Sequence, residues 1–181
     1  MSLKIYRVNA EYCNYLRAYD ARVPLNDSNK KRRPFIGIVL SIRNFNYFAP
    51  LSSPKPKFLK MKNQIDMLKI ENGRLGVINF NNMIPVLDSA LEPVDLKVYQ
   101  TDTDEDKRYK FLLRDQRDWC TLNNSKIIKR AERLYQVIIS RKANKELSKR
   151  CCDFAVLEDN IAMYEACMGS GERNRHGASC V

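Results

Sequence analysis

The chain has 181 residues, of which 44% are hydrophobic and 29% charged, with a formal net charge of +11. That length can bury a core without disulfide or metal staples, and the composition is that of a soluble globular domain, not a disordered or fibrous chain. No apolar stretch approaches a membrane span and residues 1–7 lack a signal-peptide core, so a cytoplasmic protein with anionic partners is expected.

The elements follow in chain order. Residues 3–8 alternate enough for a first strand, Asn9 offers an N-cap, and Tyr12, Leu16 and Tyr19 recur at helical spacing up to Asp20. Residues 23–33 are polar, contain Pro24 and end in Lys30, Lys31, Arg32 and Arg33, which predicts a basic loop. FIGIVLSI (35–42) is a buried strand, turned back at Arg43-Asn44 into residues 45–51, because asparagine tolerates positive φ. Asn72-Gly73 between residues 65–70 and 75–80 is the pattern of a two-residue hairpin, and residues 83–87 and 94–98 are candidates for further strands. After Thr101 the period changes. Asp102, Asp104, Glu105 and Asp106 favour a helix start, with Tyr109, Leu112, Leu113 and Trp119 following at helical intervals. Asn123-Asn124-Ser125 breaks and recaps the chain ahead of a second stripe, Ile127, Ala131, Leu134, Tyr135 and Ile138. Asp153 can cap a third helix carrying Phe154, Leu157, Ile161 and Tyr164. The sum is an α+β chain with one domain over residues 1–168, sheet-rich to residue 100 and helical beyond it. Residues 169–181, rich in glycine and charge, are expected to be a disordered tail.

The charge is unevenly spread. Residues 1–62 hold 13 Lys/Arg against Glu11, Asp20 and Asp27, whereas residues 63–181 hold 19 against 18 acids. Lys30 to Arg33 and the run Lys55, Lys57, Lys60 and Lys62 dominate that excess, and clustered cations of this kind supply the phosphate attraction on which nucleic-acid affinity rests. Tyr47 and Phe58 beside the lysines suit base stacking. The six cysteines are irregularly spaced without a C-x-x-C pair, and the single histidine, His176, lies in the tail. Reduced structural thiols, no metal site and no cofactor are therefore expected.

These segments together resemble a known family. KIYRV (4–8), EYCNYLRAYDARVP (11–24), FIGIVL (35–40), YFAPLSSPK (47–55) and LGVINFNNMIPV (75–86), in that order, are similar to the ToxN/AbiQ endoribonuclease toxins of type III toxin–antitoxin and abortive-infection systems, and to the AbiQ branch in particular. The resemblance implies a twisted, mainly antiparallel sheet with flanking helices, of the Kid/MazF-like toxin type. It implies RNA cleavage without a metal, leaving a 2′,3′-cyclic phosphate and a 5′-hydroxyl. It also implies inhibition by a small repeat-derived pseudoknot RNA that the toxin processes and binds in a ring of alternating proteins and RNAs. Carried onto this chain, the family's P-L-S/T-S-P-K motif falls on Ser52, Ser53 and Lys55, and its first-helix tyrosine on Tyr12. Ser52 stands where other members have threonine, which keeps the hydroxyl.

Those residue types suit the reaction. Lys55 can stabilise charge at a phosphorane, and a serine can hydrogen-bond the 2′-hydroxyl or a non-bridging oxygen. With one histidine in the whole chain, a two-histidine mechanism is excluded, and Lys55, Tyr12 or another tyrosine is left to move protons. On the residues alone, a plain turn in Ser52-Ser53-Pro54-Lys55 and a non-catalytic basic RNA-binding protein remain the competing readings. A peripheral membrane protein is the weaker alternative, for want of a strongly basic amphipathic helix.

Overall fold

Strand β1 (Lys4–Val8) leads directly into helix α1 (Ala10–Tyr19), whose first turn is capped by Asn9; its Oδ1 accepts from the amides of Glu11 at 2.7 Å and Tyr12 at 3.3 Å. The computed structural model describes residues 3–26 and 33–171. The face that α1 buries is Tyr12, Cys13 and Leu16, while Tyr19, expected on that stripe, is exposed.

Strands β2 (Phe35–Ile42) and β3 (Phe45–Ser52) form the expected hairpin, with Ile42 opposite Phe45. In its turn Arg43, not Asn44, takes positive φ (51°). One edge of β3 pairs with β2. Its other edge is shared: Tyr47 and Phe48 pair with β6 (Ile84–Pro85), and Leu51 and Ser52 with β5 (Val77–Asn79). With β4 (Met67–Lys69) and β7 (Leu91–Pro93) the sheet runs β4-β5-β3-β2-β1-β7, and every pairing in it is antiparallel.

The sequence signals at the sheet margins proved only partly correct. β4 and β5 do pair, but Asn72-Gly73 is not a two-residue turn. Ile70 is drawn wholly into the core, and the chain loops until the Ile70 amide bonds the Gly76 carbonyl at 2.9 Å, with positive φ at Glu71, Asn72, Gly73 and Gly76. Burial of one isoleucine outweighs the local hairpin preference. Of residues 83–87 only Ile84–Pro85 is strand, and residues 94–98 form none; the edge strand lies earlier, at Leu91–Pro93, where it pairs with β1.

The helical half follows its pattern more closely. α3 (Asp104–Leu122) starts at Thr103, whose Oγ1 accepts from the Asp106 amide at 3.1 Å, with three acids in the first turn. α4 (Asn124–Ile139) buries Ile127, Ala131, Leu134 and Tyr135. A short α5 (Lys145–Arg150), capped by Asn144, was not anticipated. Asp153 caps α6 through the Val156 amide, and α6 (Phe154–Gly171) continues over the first residues of the segment expected to be disordered; residues 172–181 lie outside the described residues. A single hydrophobic cluster joins β1, the β2–β3 hairpin, α1, α4 and the start of α6, from Leu3 to Ile161. Among the described residues no helix is long and apolar enough to cross a membrane.

Candidate active site

The end of β3 is pinned on both sides: the Leu51 amide bonds the Pro34 carbonyl at 2.8 Å, and Leu51 and Ser52 pair with Ile78 and Val77. The chain then leaves the sheet through Ser53 and Pro54. Pro56 opens the short helix α2 (Pro56–Lys60) at a position where the missing N–H is not needed, and Lys55 sits at its N-cap with extended backbone, its carbonyl accepting from the Phe58 amide at 2.9 Å. The two prolines restrict φ on either side of Lys55, so an exposed lysine is presented from a backbone with little freedom to lose.

Ser52 is half-buried and its orientation is set. Asn79 Nδ2 donates to Ser52 Oγ at 2.9 Å and to the Pro50 carbonyl at 3.2 Å. A hydroxyl oxygen that accepts from an amide still has its own proton to donate. Beneath it, Gly76 at φ 100° lies so close that a Cβ there would stand 2.0 Å from the Ser52 carbonyl oxygen.

Helix α3 forms the opposite wall. Ser52, Ser53 and Lys55 share an open pocket of about 540 Å³ with Arg33, Pro34 and Leu51 on the sheet side and Glu105, Arg108, Tyr109 and Leu112 on α3. Three exposed cations, Arg33, Lys55 and Arg108, face it with one carboxylate, which favours an anionic ligand. Among the described residues no three His, Cys, Asp or Glu side chains come together in a group able to hold a metal.

Several residues expected at the site lie elsewhere. Tyr12 is fully buried, and its hydroxyl donates to the Pro85 carbonyl at 3.0 Å while its ring packs edge-on against Tyr164, which places it in the core beneath α1 and not in the pocket of Ser52, Ser53 and Lys55. The tyrosine that does line the pocket is Tyr109. Tyr47 is also fully buried, and Phe58 is 6% exposed against Met67 and Val77; neither can stack on a base. Lys57, Lys60 and Lys62 are exposed as expected, Lys57 with its Nζ 5.5 Å from the Phe58 ring centroid. Lys30, Lys31 and Arg32 lie outside the described residues. Cys13, Cys120, Cys151 and Cys152 are buried and unbridged, and burial pushes the Cys13, Cys120 and Cys151 thiols up to about 12, which keeps them unreactive.

Comparison with known proteins bears on this geometry. The sequence profile of the family described as toxin ToxN, type III toxin–antitoxin system, matches residues 4–162. The chain belongs to the ToxN toxin family. It is 29% identical over 176 residues to endoribonuclease ToxN of Bacillus thuringiensis subsp. kurstaki, covering 95% of this chain and 89% of that one. It is 32% identical over 174 residues to endoribonuclease AbiQ of Lactococcus lactis subsp. lactis, covering 91% and 90%. A solved type III toxin, selectively inhibited by a non-coding RNA pseudoknot, superimposes with a TM-score of 0.75 at 28% identity, over 91% of this chain and 99% of that one.

In the sequence of this ToxN-family chain Glu105 signals only a helix start and Tyr109 only a helical stripe, and no site role was foreseen for Asn79, Glu105, Arg108 or Tyr109. The last three share one face of α3 with Leu112, at intervals of three and four residues, but periodicity does not say which face of a helix meets the end of a strand. Also unforeseen was Glu158, 4% exposed, whose Oε1 accepts from the hydroxyls of Tyr47 and Tyr135, each at 2.8 Å, while Arg43 lies 3.3 Å from Oε2. Burial and then the Glu158 charge push the Tyr47 hydroxyl up, and burial with the Glu158 hydrogen bond takes Tyr135 up to about 12, so both remain donors. This network fixes β3 from behind, on the face away from solvent.

Proposed function

We propose that this protein is an endoribonuclease toxin that cuts RNA at the pocket formed by Ser52, Ser53 and Lys55. The observation that carries the proposal is the meeting of these three side chains with Arg33, Arg108 and Tyr109 in one open pocket of a ToxN-family fold. In the reaction the 2′-oxygen of the RNA attacks the adjacent phosphorus and the bond to the 5′-oxygen breaks. The 2′-hydroxyl proton passes to solvent water in the open pocket and another is delivered to the 5′-oxygen, giving a 2′,3′-cyclic phosphate and a 5′-hydroxyl without a metal. Lys55 stabilises the extra charge of the phosphorane, a contribution of the kind worth about 10²–10³ in rate for one well-placed donor. Ser52, oriented by Asn79, donates to a non-bridging oxygen, and Ser53 positions the 2′-hydroxyl. Arg33 and Arg108 hold the flanking phosphates. Lys55 and Tyr109 are the lining groups able to pass a proton to the leaving oxygen.

The relatives named endoribonuclease, and the pseudoknot-inhibited structure, support the biological setting. This chain acts in the cytoplasm on its own repeat-derived antitoxin precursor and on cellular or phage transcripts, as an abortive-infection defence. The processed pseudoknot holds it inactive in a ring of alternating protein and RNA.

The test incubates wild type, Ser52→Ala, Ser53→Ala and Lys55→Ala with repeat RNA in excess EDTA and reads the product ends. Cyclic-phosphate ends from wild type, with at least a hundredfold loss in Lys55→Ala and in one serine variant, are expected. RNA bound but left uncut by wild type would favour the non-catalytic RNA-binding reading. Cleavage that needs a divalent metal, or that survives in all three variants, would reduce these residues to a loop.

A further inference from the structure

The first half of α4 carries Lys126, Lys129, Arg130 and Arg133, and the only acid in this helix is Glu132. Spaced at three, four and seven residues, the four cations share one face and span about 10 Å of helix. With Ser125 they form one side of an open groove of about 660 Å³ whose other side is Asn63, Gln64 and Ile65. Lys126, Lys129 and Arg133 are exposed, and among the described residues none of the four cations has a carboxylate in ion-pairing distance. Asp66, a buried acid whose charge reaches Arg130, is paired with Arg150.

The groove is built, not merely charged. Arg130 is half-buried and its guanidinium donates to the Gln64 and Met67 carbonyls, tying α4 to the segment before β4. Arg150 Nη2 holds the Gln64 side chain at 3.1 Å. Burial, and then the like charge of Arg133, lowers the affinity of Arg130 for its proton; a bound anion would relieve the second effect. The groove is continuous in the chain with the cleavage pocket. The segment from Lys55 to Lys62 leaves that pocket with Lys55, Lys57, Lys60 and Lys62 all exposed, and reaches the groove at Asn63. Lys69 Nζ staples it by bonds to the Leu59 and Met61 carbonyls at 3.1 and 3.0 Å.

We infer that the α4 groove is a second RNA site, which holds the phosphate backbone of a strand running on from the cleaved bond along residues 55–62; this rests on the endoribonuclease reading above. Among the described residues no aromatic ring lines the groove, so it positions RNA and reads no sequence. RNA long enough to reach it gains affinity, and RNA that fills only the cleavage pocket does not.

The test compares wild type, the triple variant Lys126→Ser, Lys129→Ser, Arg133→Ser, and a control of equal charge change, Lys142→Ser, Lys145→Ser, Lys149→Ser. Arg130 is left in place because it ties α4 to the preceding segment. The substrates are a short oligoadenylate and one several times longer, and KM, kcat and the salt dependence of binding are measured, with thermal unfolding as a check on folding. For the long RNA the triple variant should raise KM at least tenfold at low salt with kcat unchanged. Its slope of log affinity on log salt should shrink by about 2, as expected for losing three contacts at ~0.7 each on a single strand. For the short RNA it should match wild type. A triple variant that matches the control on long RNA, or weakens short and long RNA alike, overturns the groove. A wild type that neither binds nor cuts either RNA overturns the endoribonuclease reading, and the groove with it. Should the triple variant fail to fold, Lys129→Glu alone carries the same comparison.

Discussion

Replacing Gly76 by alanine offers a way to move the end of β3 that carries Ser52 and Ser53 without touching a side chain of the proposed site. Gly76 sits at φ 100°, and a Cβ there would lie 2.0 Å from the Ser52 carbonyl oxygen and 3.1 Å from the Ser53 carbonyl carbon. Ordinary contact begins near 3.4 Å, so something must give by about 1.4 Å. The neighbour is backbone, held in the β3–β5 pairing, so Ser52 and Ser53 are displaced or the loop from Ile70 to Gly76 refolds. The left-handed conformation alone costs about 1–2 kcal/mol for a residue with a Cβ, and strain raises the total to about 2–4 kcal/mol. A shift of about 1 Å in a reacting group is enough to reduce the rate about a hundredfold. Gly37→Ala is the matched control: its Cβ would also overlap at 2.0 Å, but against the Phe48 ring, inside the sheet. Both variants should unfold earlier in urea. Only Gly76→Ala should lose about two orders of magnitude in kcat under conditions where the protein is fully folded. Loss of activity in equal proportion for both, or a folded Gly76→Ala with wild-type kcat, would refute the claim that Gly76 places the serines.

Two further outcomes follow from the buried polar groups. Tyr47→Phe and Tyr135→Phe each remove one donor to Glu158 while leaving the other, so each should cost about 1–2 kcal/mol in denaturant unfolding, with kcat unchanged. Loss of cleavage by either at full folding would give the network a role in the chemistry. For Asp20, burial tends to raise the carboxyl's pKa, but hydrogen bonds from Arg22 and the Asp153 amide prevail and hold it below its usual 3.8. Its contribution to stability is therefore present above about pH 4 and is lost as pH falls through the lower folded-state value; Asp20→Asn should flatten that acid limb in a pH series of thermal unfolding, and an unchanged limb would count against it.

Where sequence and structure agree, a local signal and the tertiary packing ask for the same thing. The β2–β3 hairpin has a buried apolar run on each side of a two-residue turn, and Asn9 and Asp153 stand next to stripes that the core accepts. Ser52, Ser53 and Lys55 meet in one pocket because they are adjacent in the chain at the strand end, whereas on the residues alone they could equally be a turn. Where they part, a distant partner decides. The Asn72-Gly73 turn yields to the burial of Ile70. Tyr12 and Tyr47 are amphipathic residues whose type suits a site or a core equally, and only the placement of Pro85 and Glu158 sends them inward. Summing charge over residues 63–181 gives near balance and so hides the cationic face of α4, because the acids fall on other surfaces.

The ties between β3 and α6 also bear on when the protein becomes active. Tyr47 reaches Glu158 across 111 residues and its ring packs edge-on against Phe154 at 5.6 Å, while Tyr15 of the neighbouring α1 donates to the Asn160 carbonyl across 145. Until α6 has left the ribosome, the Tyr47 hydroxyl on the back of β3 lacks its Glu158 partner, and the β2–β3 hairpin lacks the helix that completes its core. Closure of such distant contacts is slow and must await the whole chain. Translation thus delays this packing: a growing polypeptide that already contains Ser52, Ser53 and Lys55 still lacks the helix that backs the strand they end.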